Sequence, residues 1–122
     1  MLPADRRLTR PDCFRRAVKA GRRAGARTLV THLATAEEPG GTGPRVGFVV
    51  NKAVGSAVVR NRVKRRLRHA AGARITQLPA DALLVVRAQP PAATASYQEL
   101  VADLDRCLDR SLKSEGSGQV TP

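Results

Sequence analysis

The sequence predicts an α+β fold, a single-domain α/β sandwich whose elements run α-β-β-α-β-α along the chain. Its 122 residues suffice for one hydrophobic core but not two. Apolar residues recur at helical spacing in three segments and gather into short β-branched runs in three others. Glycine and proline clusters separate these segments, as turns between packed elements require.

Residues 1–9 are polar apart from Leu2, Pro3 and Leu8, the candidates there for contact with the body of the domain. A first helix is expected from Pro11, whose fixed φ suits an opening turn, to Gly21, with Phe14, Ala17 and Val18 as its apolar face. Arg15, Arg16, Lys19, Arg22, Arg23 and Arg27 make a basic cluster on and after it. Thr28 to Ala36 reads as a strand, with Leu29, Thr31 and Leu33 on one face and Val30, His32 and Ala34 on the other. The stretch from Glu37 to Pro44 is a turn or loop, and Arg45 to Asn51 is a second strand around Val46-Gly47-Phe48-Val49-Val50. A hairpin pairing of these two strands is the simplest topology.

A second helix is expected after Gly55, N-capped by Ser56 and fraying near Gly72. Its residues Val59, Val63, Leu67 and Ala70 form a narrow apolar wedge. Ala82 to Ala88 is a third strand, closed by Pro90-Pro91. Ser96-Tyr97-Gln98-Glu99 is a capping box opening a last helix, whose Leu100, Val101, Leu104, Cys107, Leu108 and Leu112 form the buried stripe. Residues 1–113 are thus expected to form one domain and residues 114–122 a disordered tail.

Charge narrows the function. Lys and Arg number 22 against 10 acids, a formal net charge of +12. No Asp or Glu occurs from Pro39 through Ala80, so the imbalance is concentrated around the second helix. Between Arg60 and Arg68 that helix packs six cations into nine residues. Arg60, Lys64 and Arg68 run along one flank of the wedge at i, i+4 and i+8, where like charges weaken an isolated helix by a few tenths of a kcal/mol per pair. A polyphosphate backbone is the natural counterpart, whereas a merely solvated face normally mixes signs.

Other classes fit poorly. No apolar run approaches the ~18 residues of a spanning helix, and the Met1-Leu2-Pro3-Ala4-Asp5 start lacks the apolar core of a secretory signal, so a cytoplasmic protein without a membrane partner is expected. Cys13 and Cys107 lie far apart with no metal-ligand spacing and read as small hydrophobes in a reducing compartment. Phe14, Phe48 and Tyr97 are the only aromatics, too few for recognition by an aromatic sheet. His32 and His69 sit in no nucleophile or metal pattern, and Asp103, Asp105 and Asp109 alternate with Arg106 and Arg110 as a mixed-charge solvated face would. No helix-turn-helix pair or symmetric dimer seam suggests a DNA partner. A structural RNA-binding protein such as a ribosomal protein would share the charge and the small body.

The stretch Val46 to Arg68, a strand leading through Lys52 and Gly55 into a helix that carries Arg60-Asn61-Arg62, resembles the signature of the bacterial ribonuclease P protein component. Leu8, Phe14, Gly21-Arg22-Arg23, Arg27, Leu83 to Arg87 and Tyr97-Gln98-Glu99-Leu100 fall in the family's order, so the resemblance spans roughly residues 2–112. It implies a small sheet with a left-handed βαβ crossover, of the type found in the second domain of ribosomal protein S5. It also implies a partner of a large catalytic RNA, ribonuclease P RNA, that helps remove the 5′ leader from precursor transfer RNA. The chemistry would belong to Mg²⁺ ions held mainly by that RNA, with no catalytic residue in the protein.

By the same resemblance, Arg60, Asn61, Arg62, Lys64, Arg65 and Arg68 would meet the catalytic RNA. Arginine forks suit bidentate phosphate contacts, and Asn61 can address a base edge, a 2′-hydroxyl or a neighbouring backbone group as a brace. Arg66, at the wedge's edge, can instead lay its stem over apolar surface. Phe14, Arg10, Lys52 and His32 match a cleft for the single-stranded leader, although Phe14 also suits plain core packing. Where many family members carry aromatics, this chain has Val18 and His32, which leaves the cleft poorer in stacking surface.

Overall fold

The computed structural model describes residues 11–35 and 43–117. Its elements are α1 (Pro11–Ala20), β1 (Arg22–Gly25), β2 (Leu29–Thr35), β3 (Arg45–Val49), α2 (Ala57–Gly72), β4 (Ala82–Ala88) and α3 (Tyr97–Ser117), with short 3₁₀ turns at Ile75–Gln77 and Pro90–Ala93. The strands form one mixed sheet in the order β1-β2-β4-β3.

Two expectations are corrected. The predicted α-β-β-α-β-α order lacks β1, because Arg22-Arg23-Ala24-Gly25 has no β-branched or aromatic residue and becomes a strand only by pairing antiparallel with the edge of β2. Nor do β2 and β3 form a hairpin: β4 lies between them, antiparallel to β2 and parallel to β3. The reason is burial. Leu83, Leu84, Val85 and Val86 are at most 3% exposed, and a strand apolar on both faces belongs in the middle of a sheet. β3, α2 and β4 therefore make a parallel crossover unit, the kind of connection the family resemblance implies.

One sheet face carries the main core. Leu29, Leu33, Val46, Leu84 and Val86 pack there against Val63 and Leu67 of α2 and Leu100, Leu104 and Leu108 of α3. Each such side chain contributes about 1.5–3 kcal/mol by leaving water. The opposite face meets only α1 among the described helices, through Ala17, Leu83 and Val85 with Phe14, Ala34 and Val49 at the margin. Val18, expected on the apolar face of α1, is 42% exposed, because a ten-residue helix on this narrow contact buries little beyond Ala17.

The helix starts follow their sequence signals. Ser56 Oγ accepts from Val59 N–H, and the capping box of α3 closes in both directions, Ser96 N–H donating to Glu99 Oε1 at 2.8 Å and Glu99 N–H to Ser96 Oγ at 3.1 Å. That backbone bond, with Arg27 beside it, holds the Glu99 carboxyl below its usual range. Gly55 turns the chain into α2 at φ 153°, a conformation side chains rarely adopt. At its other end α3 continues through Ser117, where a tail from Ser114 was expected; nothing in Lys113-Ser114-Glu115 interrupts the helical ladder. The last residue of the expected first strand, 36, the expected loop's residues 37–42, the expected tail's residues 118–122 and the amino-terminal residues 1–10 lie outside the described residues.

Candidate nucleic-acid interface

α2 docks by the predicted wedge. Val63, Leu67, Ala70 and Ala71 are buried, and Val59 packs at the edge. With that stripe inward, helical geometry turns Asn61, Lys64, Arg65, Arg68 and His69 outward, where together they line one shallow concave surface. Asn61, Arg65 and His69 form one ridge at i, i+4 and i+8, and Lys64 and Arg68 form the next. No carboxylate lies on either ridge. Among the described residues Lys64, Arg65 and Arg68 take part in no ion pair, and the buried Nε of Arg68 finds no acceptor. An anion would supply what this surface lacks.

The remaining cations of α2 are partly committed to the fold. Arg60 Nε donates to Gly55 O at 3.2 Å, across the turn that opens the helix. Arg62 Nη2 donates to Ala93 O at 2.8 Å and Arg66 Nη1 to Ala95 O at 3.3 Å, so both lean toward the turn that precedes α3. Arg62, expected alongside Lys64, Arg65 and Arg68, therefore stands apart from the outward cluster. Arg74, just past the helix, bridges Asp105 at 2.8 Å and Asp109 at 2.7 Å on α3. Of the three aspartates expected on a mixed-charge solvated face of α3, Asp103 departs from it. Asp103 is only 8% exposed, and its Oδ2 accepts from Thr28 N–H at 3.1 Å and Thr28 Oγ1 at 2.6 Å.

The other candidate residues gather on the α1 side of the sheet. Register places Arg23, His32, Val85 and Gly47 in one row across all four strands, side chains on a common face. The Phe14 ring lies directly on Gly47, where an added methyl would overlap it, so Phe14 and His32 share that row with Val85 between them. His32 is 7% exposed, and its Nδ1 has no partner among the described residues. Burial, then the nearby Arg23 and Arg87 guanidiniums, push its pKa below the ordinary value, favouring the neutral ring. Lys52 is exposed in the turn after β3, held by Ala53 N–H donating to Asn51 Oδ1 at 3.2 Å. Arg10 lies outside the described residues.

Three residues escaped the sequence reading of the site. His69 belongs to no metal or nucleophile pattern, but its i+4 relation to Arg65 puts it on the cation ridge. Arg23 and Arg87 flank His32 through strand register, legible only once the pairing is known. Among the described residues no three His, Cys, Asp or Glu side chains converge as a metal site would need. Cys107 is buried, and burial raises its thiol pKa, as befits a packing residue. No helix among the described residues is long and apolar enough to cross a membrane.

Comparison with known proteins adds an independent observation. The Ribonuclease P family model matches residues 2–112. The ribonuclease P protein component of a Nocardioides species is 56% identical over 110 residues, covering 90% of this chain and 94% of the relative. That of Streptomyces griseus is 52% identical over 118 residues, covering 92% and 96%. Among solved structures, the Staphylococcus aureus RNase P protein superposes with a TM-score of 0.74 at 26% identity, over 85% of this chain and 93% of that one. The Thermotoga maritima RNase P protein shares the fold, with a TM-score of 0.71 at 21% identity over 85% and 96% of the two chains.

Proposed function

The chain belongs to the ribonuclease P protein family, and from that premise we propose that it assembles with a catalytic ribonuclease P RNA and promotes endonucleolytic removal of the 5′ leader from precursor transfer RNA. The observation that carries this reading is the outward face of α2: Lys64, Arg65 and Arg68 beside Asn61, with no acid among them. Such a face binds phosphate by charge and releases counterions in doing so. Arg60 and Arg62, though each spends one donor on a backbone carbonyl, keep further N–H groups for the same RNA.

The α1 side of the sheet is the proposed seat of the single-stranded leader. Phe14 offers a ring whose tip meets Gly47, His32 a neutral imidazole in the same row, and Arg23, Arg87 and Lys52 the cations for a phosphate backbone. The protein would bind and orient; it would contribute no general acid, base or nucleophile. Mg²⁺ supplies the hydrolytic chemistry when bound, and we place it in the RNA, because the protein's aspartates on α3 are tied to Thr28 and Arg74. Residence in the cytoplasm follows from the same proposal.

The test is cleavage of a precursor transfer RNA carrying a 5′ leader by a bacterial ribonuclease P RNA at low Mg²⁺, with and without the protein. Stimulation that requires the RNA is the expected result. Binding without stimulation would overturn the processing role, and cleavage by the protein alone would overturn the division of labour.

A further inference from the structure

The outward ridge of α2 does not end in a cation. It ends at His69, whose ring centroid lies 5.8 Å from that of Tyr97, with the planes inclined at 60°. Tyr97 is half-buried, packed on the main core and fixed at the start of α3 by the Ser96–Glu99 capping box. His69 is exposed. An inclined contact of this kind braces the imidazole by its neighbour without covering it in a parallel stack, so a planar group can still lie against it. Arg65 stands one turn away along the ridge, about 6 Å, and Arg68 is adjacent in sequence.

We propose that His69, braced by Tyr97, is a stacking site for one unpaired nucleobase of an RNA whose phosphates lie on Lys64, Arg65 and Arg68. This rests on the RNA-binding reading of that face and adds to it a preference that charge alone does not provide. A base within a duplex has both faces covered by its neighbours, whereas a bulged or single-stranded base exposes one to a protein ring. The ligand is therefore an RNA segment with an extruded base beside its backbone. Phosphate contacts would anchor the segment and the ring would select its conformation.

The experiment measures binding to two RNA hairpins of equal length and charge, one fully paired and one with a single unpaired purine in the stem, and reads the ratio of the two affinities. The full-length protein should prefer the bulged stem about tenfold, equivalent to about 1.4 kcal/mol. H69A should bring the ratio close to one, while H69F and Y97F, which keep a ring at each position, should retain it. A ratio unchanged in H69A would overturn the stacking site, as would H69F behaving like H69A. The variant K64A/R65A/R68A should bind both hairpins more weakly. If it binds both as the full-length protein does, the RNA-binding reading of the face fails, and the stacking site fails with it.

Discussion

Two sides of α2 carry the same kind of residue and use it differently. Toward α3, Arg62 and Arg66, with Arg74 just past the helix end, donate to the backbone oxygens of Ala93 and Ala95 and the carboxylates of Asp105 and Asp109. Away from α3, Lys64, Arg65 and Arg68 face a concave surface lined by no acid among the described residues. The described acids concentrate on α3, where Glu99 meets Arg27, Asp103 meets Thr28 and Arg106, and Asp105 and Asp109 meet Arg74. The difference shows that the net charge of +12 is not spread evenly. Acids neutralise the seam that holds the helices together and leave the outer ridge positive, so a small domain keeps its fold and its field apart.

The sharpest way to break this comparison is inside the seam. Asp103→Ala should cost about 2–3 kcal/mol in denaturant unfolding, since it strands the fully buried Thr28 N–H and hydroxyl without their acceptor. Arg74→Ala should cost less, about 1–2 kcal/mol, because Asp109 is 70% exposed and water screens that half of the bridge. Loss of no stability in either would mean the seam is not what joins α3 to the rest. On the outer ridge, Lys64→Ala should change stability by less than about 0.5 kcal/mol, in either direction, because removing one of a like-charged i, i+4 pair offsets the lost stem contacts.

The opposite side of the sheet extends the comparison to pH. The neutral form of His32 is favoured in the fold, by burial first and then by Arg23 and Arg87, so its folded pKa lies below the ordinary 6.5. The unfolded chain then binds more protons between the two values, and stability rises with pH across that window. The contribution is fully present above about 6.5 and is lost as pH falls through the folded value. Unfolding measured at about pH 5 and about pH 8 should show a smaller difference in His32→Phe than in the unmodified chain; an equal difference would place the acid sensitivity elsewhere.

How much of this was legible in the sequence depends on how local the cause is. Ser56 before α2, the Ser96–Glu99 box before α3 and the doubly apolar Leu83 to Val86 each mark an element by their own chemistry. β1 had no such mark, and the insertion of β4 between β2 and β3 is a pairing between distant segments that neighbouring residues do not encode. The outer ridge could be read from helical periodicity and the lack of acids. Arg62 and Arg66 could not be separated from it, because their partners are main-chain oxygens about thirty residues away. Asp103 was legible in principle: it lies three residues after Leu100 and four before Cys107, on the buried stripe of α3.

The division between seam and ridge is tested most directly by the salt dependence of binding to a ribonuclease P RNA, measured for the unmodified protein, K64A/R65A/R68A and R66A/R74A. With roughly 0.7–0.9 of a logarithmic unit per phosphate contact, the ridge variant should flatten the plot of log affinity against log salt by about two units. The seam variant should lose thermal stability while keeping the slope. Equal slopes for the unmodified and ridge proteins, or a loss of slope in the seam variant alone, would contradict the account.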